Sequence, residues 1–127
     1  MAKIIKEIQF SLPNKVGGLK EITDALKAEK VNILHMVAWV EEKQAFVNLV
    51  TDNNSGAKKA LEKLGISTSE KELLEVMLEN KVGSLNEVAA KLSKAGIDIT
   101  CLSATSAGAK VAVLLHTDNN AKAATLV

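Results

Sequence analysis

The chain has 127 residues, 47% apolar and 24% charged, the balance of a soluble globular protein and not of a disordered one. Its formal net charge is +1 and every basic residue is Lys, so the electrostatic footprint of a nucleic-acid binder is missing. Cys101 is the single cysteine, which excludes an intrachain disulfide and cysteine-based zinc spacings; no signal peptide or membrane-length apolar run is read, so the expected setting is the cytoplasm.

Read in order, the first element is a strand over about residues 4–12, with Ile4, Ile8, Phe10 and Leu12 apolar. The loop Leu12-Pro13-Asn14-Lys15-Val16-Gly17-Gly18-Leu19 leads into a helix. Leu19, Ile22 and Leu26 are spaced by three and four, which puts them on one buried face. That helix stops near Glu29-Lys30. Val31–Val40 reads as a second strand, Glu41–Gln44 as a hairpin turn and Ala45–Thr51 as a third strand. Asp52 or Asn53 suits the N-cap of a second helix carrying Ala57, Ala60, Leu61 and Leu64. Gly65 ends it, and a short last strand is expected near Ile66–Ser69.

The same order then starts again. Asn14-Lys15-Val16-Gly17 recurs as Asn80-Lys81-Val82-Gly83, and Thr51-Asp52-Asn53-Asn54 as Thr117-Asp118-Asn119-Asn120, both at an offset of 66 (80 − 14 and 117 − 51). Residues 12–57 align with 78–123 without a gap, and 17 of those 46 positions are identical. The second copy therefore has strands at 72–79, Ile97–Ser106 and Val111–Thr117, with Gly108 in the hairpin turn and Asp118 or Asn119 as N-cap. Its first helix carries Leu85, Val88, Ala89 and Leu92 and closes at Gly96.

Strand, helix, strand, strand, helix, strand is the split-βαβ, ferredoxin-like plan. The expected fold class is α+β, two ferredoxin-like βαββαβ repeats in domains 1–70 and 71–127. Val127 aligns with Leu61, because 127 − 66 = 61, so the second repeat lacks its last strand. Bare sheet edges recruit strands, so a partner chain is one candidate to supply the pairing.

The doubled loop is the candidate site. The first amides of a helix lack intrahelical acceptors and carry partial positive charge, so a small carboxylate can be held by residues 16 to 19. Glycine at 17 lets a ligand approach the backbone, and the Asn14 side chain offers both a donor and an acceptor. Copy two repeats the set as Asn80, Lys81, Val82, Gly83, Ser84 and Leu85. The plainer alternative is that the glycines permit a tight turn and Asn14 caps the helix.

On the loop Asn14-Lys15-Val16-Gly17-Gly18-Leu19, the helix after it and Val31-Asn32-Ile33, each copy resembles an ACT domain, a small regulatory module of amino-acid metabolism. The family loop is usually Asn-x-Pro-Gly-x-Leu, and its proline is Val16 and Val82 here. The resemblance implies that the loop Asn and an Asn opening the second strand contact an amino acid across a domain interface. Those positions are Asn14 and Asn32, and Asn80 and Asp98 in copy two. A His that some members carry two residues before the loop Asn is Leu12 or Leu78 here, so the ligand is expected to differ from theirs.

Asn32, read as a strand residue, is unusual there. Leu34, Met36, Ala38 and Val40 alternate with Ile33, Val37 and Trp39, so the second strand reads as apolar on both faces and in need of cover on both. A homodimer or higher homo-oligomer is therefore expected. His35 and His116 occupy non-equivalent positions, Glu21 and Glu87 suit first helix turns, and no catalytic triad, phosphate loop or metal box is present. The reading is a non-enzymatic regulatory module with no cofactor and no metal, binding an amino acid and acting on its own oligomer or on an enzyme of amino-acid metabolism. The alternative is an assembly or dimerisation module without ligand. RNA binding on the sheet is ranked last, because it needs exposed aromatics and basic charge; no nucleic-acid or membrane partner is expected.

Overall fold

A computed structural model describes residues 2–127. The elements are β1 (Ala2–Pro13), α1 (Gly18–Ala28), β2 (Ile33–Glu41), β3 (Gln44–Thr51) and α2 (Asn54–Lys63), followed by β4 (Ser69–Glu79), α3 (Ser84–Lys94), β5 (Ile99–Ala107), β6 (Lys110–Thr117) and α4 (Asn120–Leu126). They form two compact units, one of residues 6–71 and one of residues 2–5 with 72–127.

In the first unit the strands run β2-β3-β1, all antiparallel. Directly opposed residues share a face, so the register Phe10↔Val47 and Met36↔Leu49 collects Ile8, Phe10, Val47, Leu49 and Met36 on one side. There they pack with Ile22 and Leu26 of α1 and Ala57, Ala60 and Leu61 of α2. The expected strand near Ile66–Ser69 is not a separate element. Residues 64–68 are irregular, Ile66 packs against the core, and β4 starts at Ser69 and runs on to Glu79. Residues 69–71 of that long strand belong to the first unit, where Lys58 of α2 is ion-paired with Glu70 and holds its carboxyl below the usual range.

β2 also departs from strict alternation. Its register to β3 shifts between Ile33 and His35, leaving Leu34 as the extra residue of a β-bulge. Ile33 and Met36 consequently both pack on the helix-side core, while Leu34 is 60% exposed. The expected face of Leu34, Met36, Ala38 and Val40 is thus broken at its first member. The opposite face carries Trp39 stacked on Phe46, with ring centroids 5.7 Å apart.

The second unit repeats the plan, with β4-β6-β5 antiparallel and a bulge between Ile99 and Cys101. Its core is Leu74, Val76, Val88, Leu92, Val113, Leu115 and Ala123, with Ala2 packed against it. Among the described residues no strand follows α4. The place beside β4 is taken by residues 2–5 of β1, and Lys3 Nζ lies 3.2 Å from Glu75 Oε1. The edge expected to need a partner chain is filled by the chain's own first strand.

The repeated Thr-Asp-Asn-Asn motif holds both units at matching points. Asn53 Oδ1 accepts from Gly56 N–H at 3.0 Å and Asn119 Oδ1 from Lys122 N–H at 3.1 Å, so the asparagines are the N-caps and the aspartates are not. Asp52 Oδ1 instead accepts from Asn32 N–H at 2.9 Å, and Asp118 Oδ1 from Asp98 N–H at 3.0 Å. Thr51 donates to Asn54 Oδ1 and Thr117 to Asn120 Oδ1, each at 2.7 Å. The same two amides donate onward, Asn54 to Lys6 O at 3.2 Å and Asn120 to Glu72 O at 3.0 Å. Those carbonyls sit where β1 and β4 pass from one unit to the other.

Two predictions follow from these contacts. Asn54→Ala removes two hydrogen bonds and Asn120→Ala three, and each should cost about 1–2 kcal/mol or more in chemical denaturation, whereas Ser55→Ala should be near neutral. Lys30 occupies φ 58° where copy two has Gly96 at φ 73°. Lys30→Gly should therefore stabilise the protein by roughly 1 kcal/mol, read as a higher denaturation midpoint.

Candidate functional site

The first loop is shaped by its backbone. Asn14 N–H donates to Lys43 O at 2.8 Å, tying the end of β1 to the β2–β3 turn, and Gly18 N–H donates to Lys15 O at 3.2 Å. Gly17 is the N-cap of α1 at φ 86°, ψ 0°, with no side-chain cap. The alternative in which Asn14 caps the helix is therefore not the arrangement found. A Cβ on Gly17 would meet nothing within 4 Å, so the dihedral and not the space requires glycine there. Val16 at the tip is fully exposed and Leu19 largely so. Lys15 Nζ reaches Glu21 Oε1 at 3.0 Å, so its charge is partly answered within the loop.

Copy two has the same backbone path with different side-chain commitments. Gly83 is the N-cap at φ 88°, Asn80 N–H donates to Ala109 O at 2.9 Å, and Val82 is exposed like Val16. Here the Asn80 amide also donates to Gly108 O at 3.0 Å. Buried Ser84 donates to Glu79 O at 2.7 Å, Lys81 lies 3.6 Å from Glu79, and Leu85 is less exposed than Leu19. Among the described residues the Asn14 side chain makes no hydrogen bond. The two loops are alike in backbone and unlike in what they leave free.

A cavity of about 270 Å³ opens beside the first loop. Asn14, Lys15, Gly17, Gly18 and Leu19 line it, together with Leu12, Pro13 and Ile22. The far wall is Ala38, Trp39 and Val40 of β2 with Ala45 and Val47 of β3. Sequence reasoning missed that wall, because it begins 19 residues beyond the end of the loop (38 − 19). The hairpin turn was the available signal, since the strand ends it joins must return to the end of β1.

Asn32 is not brought to this cavity. It precedes β2, where its N–H and C=O are both bonded to Asp52, so it is not the strand residue expected. It lines a shallow hollow with Thr23, Asp24 and Lys27, toward the other end of α1 from Asn14. Asp98 repeats this geometry through Asp118. Because position 32 is held by its backbone, Asn and Asp satisfy it equally. A cavity of about 230 Å³ between β4 and α3 is lined by Leu78, Glu79, Lys81, Glu87 and Val88 among others, and it matches a hollow of about 440 Å³ in copy one lined by Leu12, Pro13, Lys15, Glu21 and Ile22. Among the described residues no group of three or more His, Cys, Asp or Glu is placed to hold a metal, and no helix is long and apolar enough to cross a membrane.

The loop glycines yield a contrast. Gly17→Ala forces a side chain into the left-handed region and should cost about 1–2 kcal/mol. Gly18→Ser, the residue of copy two, should change the denaturation midpoint little, since a Cβ there meets Leu12 and Lys15 only at 3.7 and 3.9 Å.

Comparison with known proteins places the fold. No curated protein matches the chain by sequence. Among solved structures, protein BT0572 from Bacteroides thetaiotaomicron is similar with a TM-score of 0.92 at 22% identity, over 98% of this chain and 87% of that one. The ligand-free regulatory subunit of aspartate kinase from Thermus thermophilus is similar with a TM-score of 0.69 at 13% identity, over 98% and 93%. An aspartate kinase from Clostridium acetobutylicum matches with a TM-score of 0.64 at 18% identity, over 97% of this chain and 32% of that one. The profile of the ACT domain pair matches residues 3–127, nearly the whole sequence, and the chain belongs to that family.

Proposed function

We propose that the chain is a non-catalytic regulatory module that binds an amino acid at the Asn14 loop. The observation that carries this is the uncommitted Asn14 amide at the mouth of a 270 Å³ cavity. An amide with a free donor and acceptor suits paired ammonium and carboxylate groups. A cavity just under the range of drug-sized pockets suits a ligand of amino-acid size.

Asn14 and Asn32 lie at opposite ends of α1, so a ligand touching both takes them from two chains. In this reading the working unit is a homodimer or higher homo-oligomer, and the ligand joins the Asn14 loop of one molecule to Asn32 of another. Asn80 and Asp98 form the corresponding second set, weakened by the commitment of Asn80 to Gly108. A ligand that bridges two chains favours the assembled state, and that difference is what regulation requires. The likeness to an aspartate kinase regulatory subunit is one of fold; it makes an enzyme of amino-acid metabolism the first partner to test.

The self-satisfied second loop favours a second reading, an assembly module without ligand. A thermal-shift screen of the twenty amino acids separates the two. A binder at a hundred times its Kd should add about 2.7 kcal/mol of stability. Asn14→Ala should abolish the shift without lowering the stability of the free protein, while Asn80→Ala should leave the shift in place. An oligomer indifferent to all twenty would support the assembly reading.

A further inference from the structure

Resting on that reading, we infer that the first loop takes an amino acid with an extended aliphatic side chain, such as leucine or methionine, and that only one such ligand binds per chain. The cavity has a polar end and an apolar end. Asn14 marks the polar end, while Leu12, Ile22, Ala38, Val40 and Val47 supply apolar surface. No carboxylate lines it, and Asp24 in the Asn32 hollow of the other molecule is already paired with Lys20, so the ammonium of a basic side chain would be desolvated without a free counter-charge. Its one cation, Lys15, is already paired with Glu21, so an acidic side chain would have to compete for it. A small or hydroxylated side chain would leave the apolar walls uncovered. An unbranched or γ-branched aliphatic chain covers them and asks for no partner.

Copy two keeps an apolar wall as Leu78, Val88, Ala104 and Val113 but changes the rim and the polar end. The counterparts of Trp39 and Val40 are Thr105 and Ser106, that of Pro13 is Glu79, and the Asn80 amide is occupied by Gly108 O. The charged hollow lined by Glu79, Lys81 and Glu87 is no counterpart of the Asn14 cavity, since it matches the copy-one hollow of Pro13, Lys15 and Glu21; the contrast between the repeats rests on the substituted rim and the committed Asn80 amide. The identical loop sequence is therefore a ligand site in one repeat and a structural turn in the other.

Isothermal titration of the full chain with leucine, methionine, glycine, threonine, lysine and aspartate tests this. Leucine and methionine should bind at one site per chain, with the other four at least about tenfold weaker. Val40→Ser, which installs the copy-two residue, should weaken leucine by a similar factor, while Trp39→Thr, on the opposite face, should change it little. Asn14→Ala should remove binding. If lysine, threonine or aspartate binds through Asn14 and leucine and methionine do not, the aliphatic assignment falls and the amino-acid reading survives. Two equal sites per chain would overturn the assignment to the first loop alone. No binding by any of the six, with none in the wider screen of twenty, sinks both. The wild-type ligand series decides even if a variant fails to fold.

Discussion

The two long strands, β1 and β4, are the constraint on which the rest depends. Each is central in one unit over most of its length and completes the edge of the other unit over its first few residues. A strand in that position must hold its register through the point of transfer, since a slip of one residue would turn every apolar side chain to the wrong face. The amides of Asn54 and Asn120 bond the backbone at Lys6 and Glu72, where the transfer occurs. Those asparagines are themselves held by Thr51 and Thr117, beside N-caps that start the second helices. One short motif thus sets a strand end, a helix start and the register of the long strand. Its survival in both copies has a structural cause.

Much of this was legible before any coordinates, because the signals are local. The 66-residue offset, the helix spacings, the Asn caps and the glycine loop each depend on residues a few positions apart. What was not legible depends on pairing. The bulges at Leu34 and Thr100 insert one residue and reverse the parity of the strand, so alternation assigned Leu34 to a face that Ile33 helps to fill. The strand expected at Ile66–Ser69 is replaced by an irregular stretch, and the place beside β1 goes to β4, which starts at Ser69, a fact that no window of sequence contains.

The candidate site divides in the same way. The backbone of the loop was readable from its glycines, and the structure places Gly17 and Gly83 in the same left-handed conformation. The difference between Asn14 and Asn80 was not readable, since the residues are identical and only the turn carbonyl of Gly108 distinguishes them. Nor was the apolar wall from β2 and β3, which the hairpin carries back to the loop. The comparison of the copies is informative for this reason: duplication kept the scaffold in both and let the surroundings of one loop change.

The shared strands also bear on the order in which the protein is made. Residues 2–5 are made before the rest of their unit, residues 72–127, in which they lie beside β4. The first unit can close once residue 71 has emerged, whereas the second needs residues 2–5 together with 72–127. At synthesis rates of about 5–20 residues per second, residues 2–5 wait several seconds for their neighbours. Pairing with a strand that begins 67 residues later (69 − 2) raises the contact order and slows folding, so these four residues are among the last of their unit to find their place.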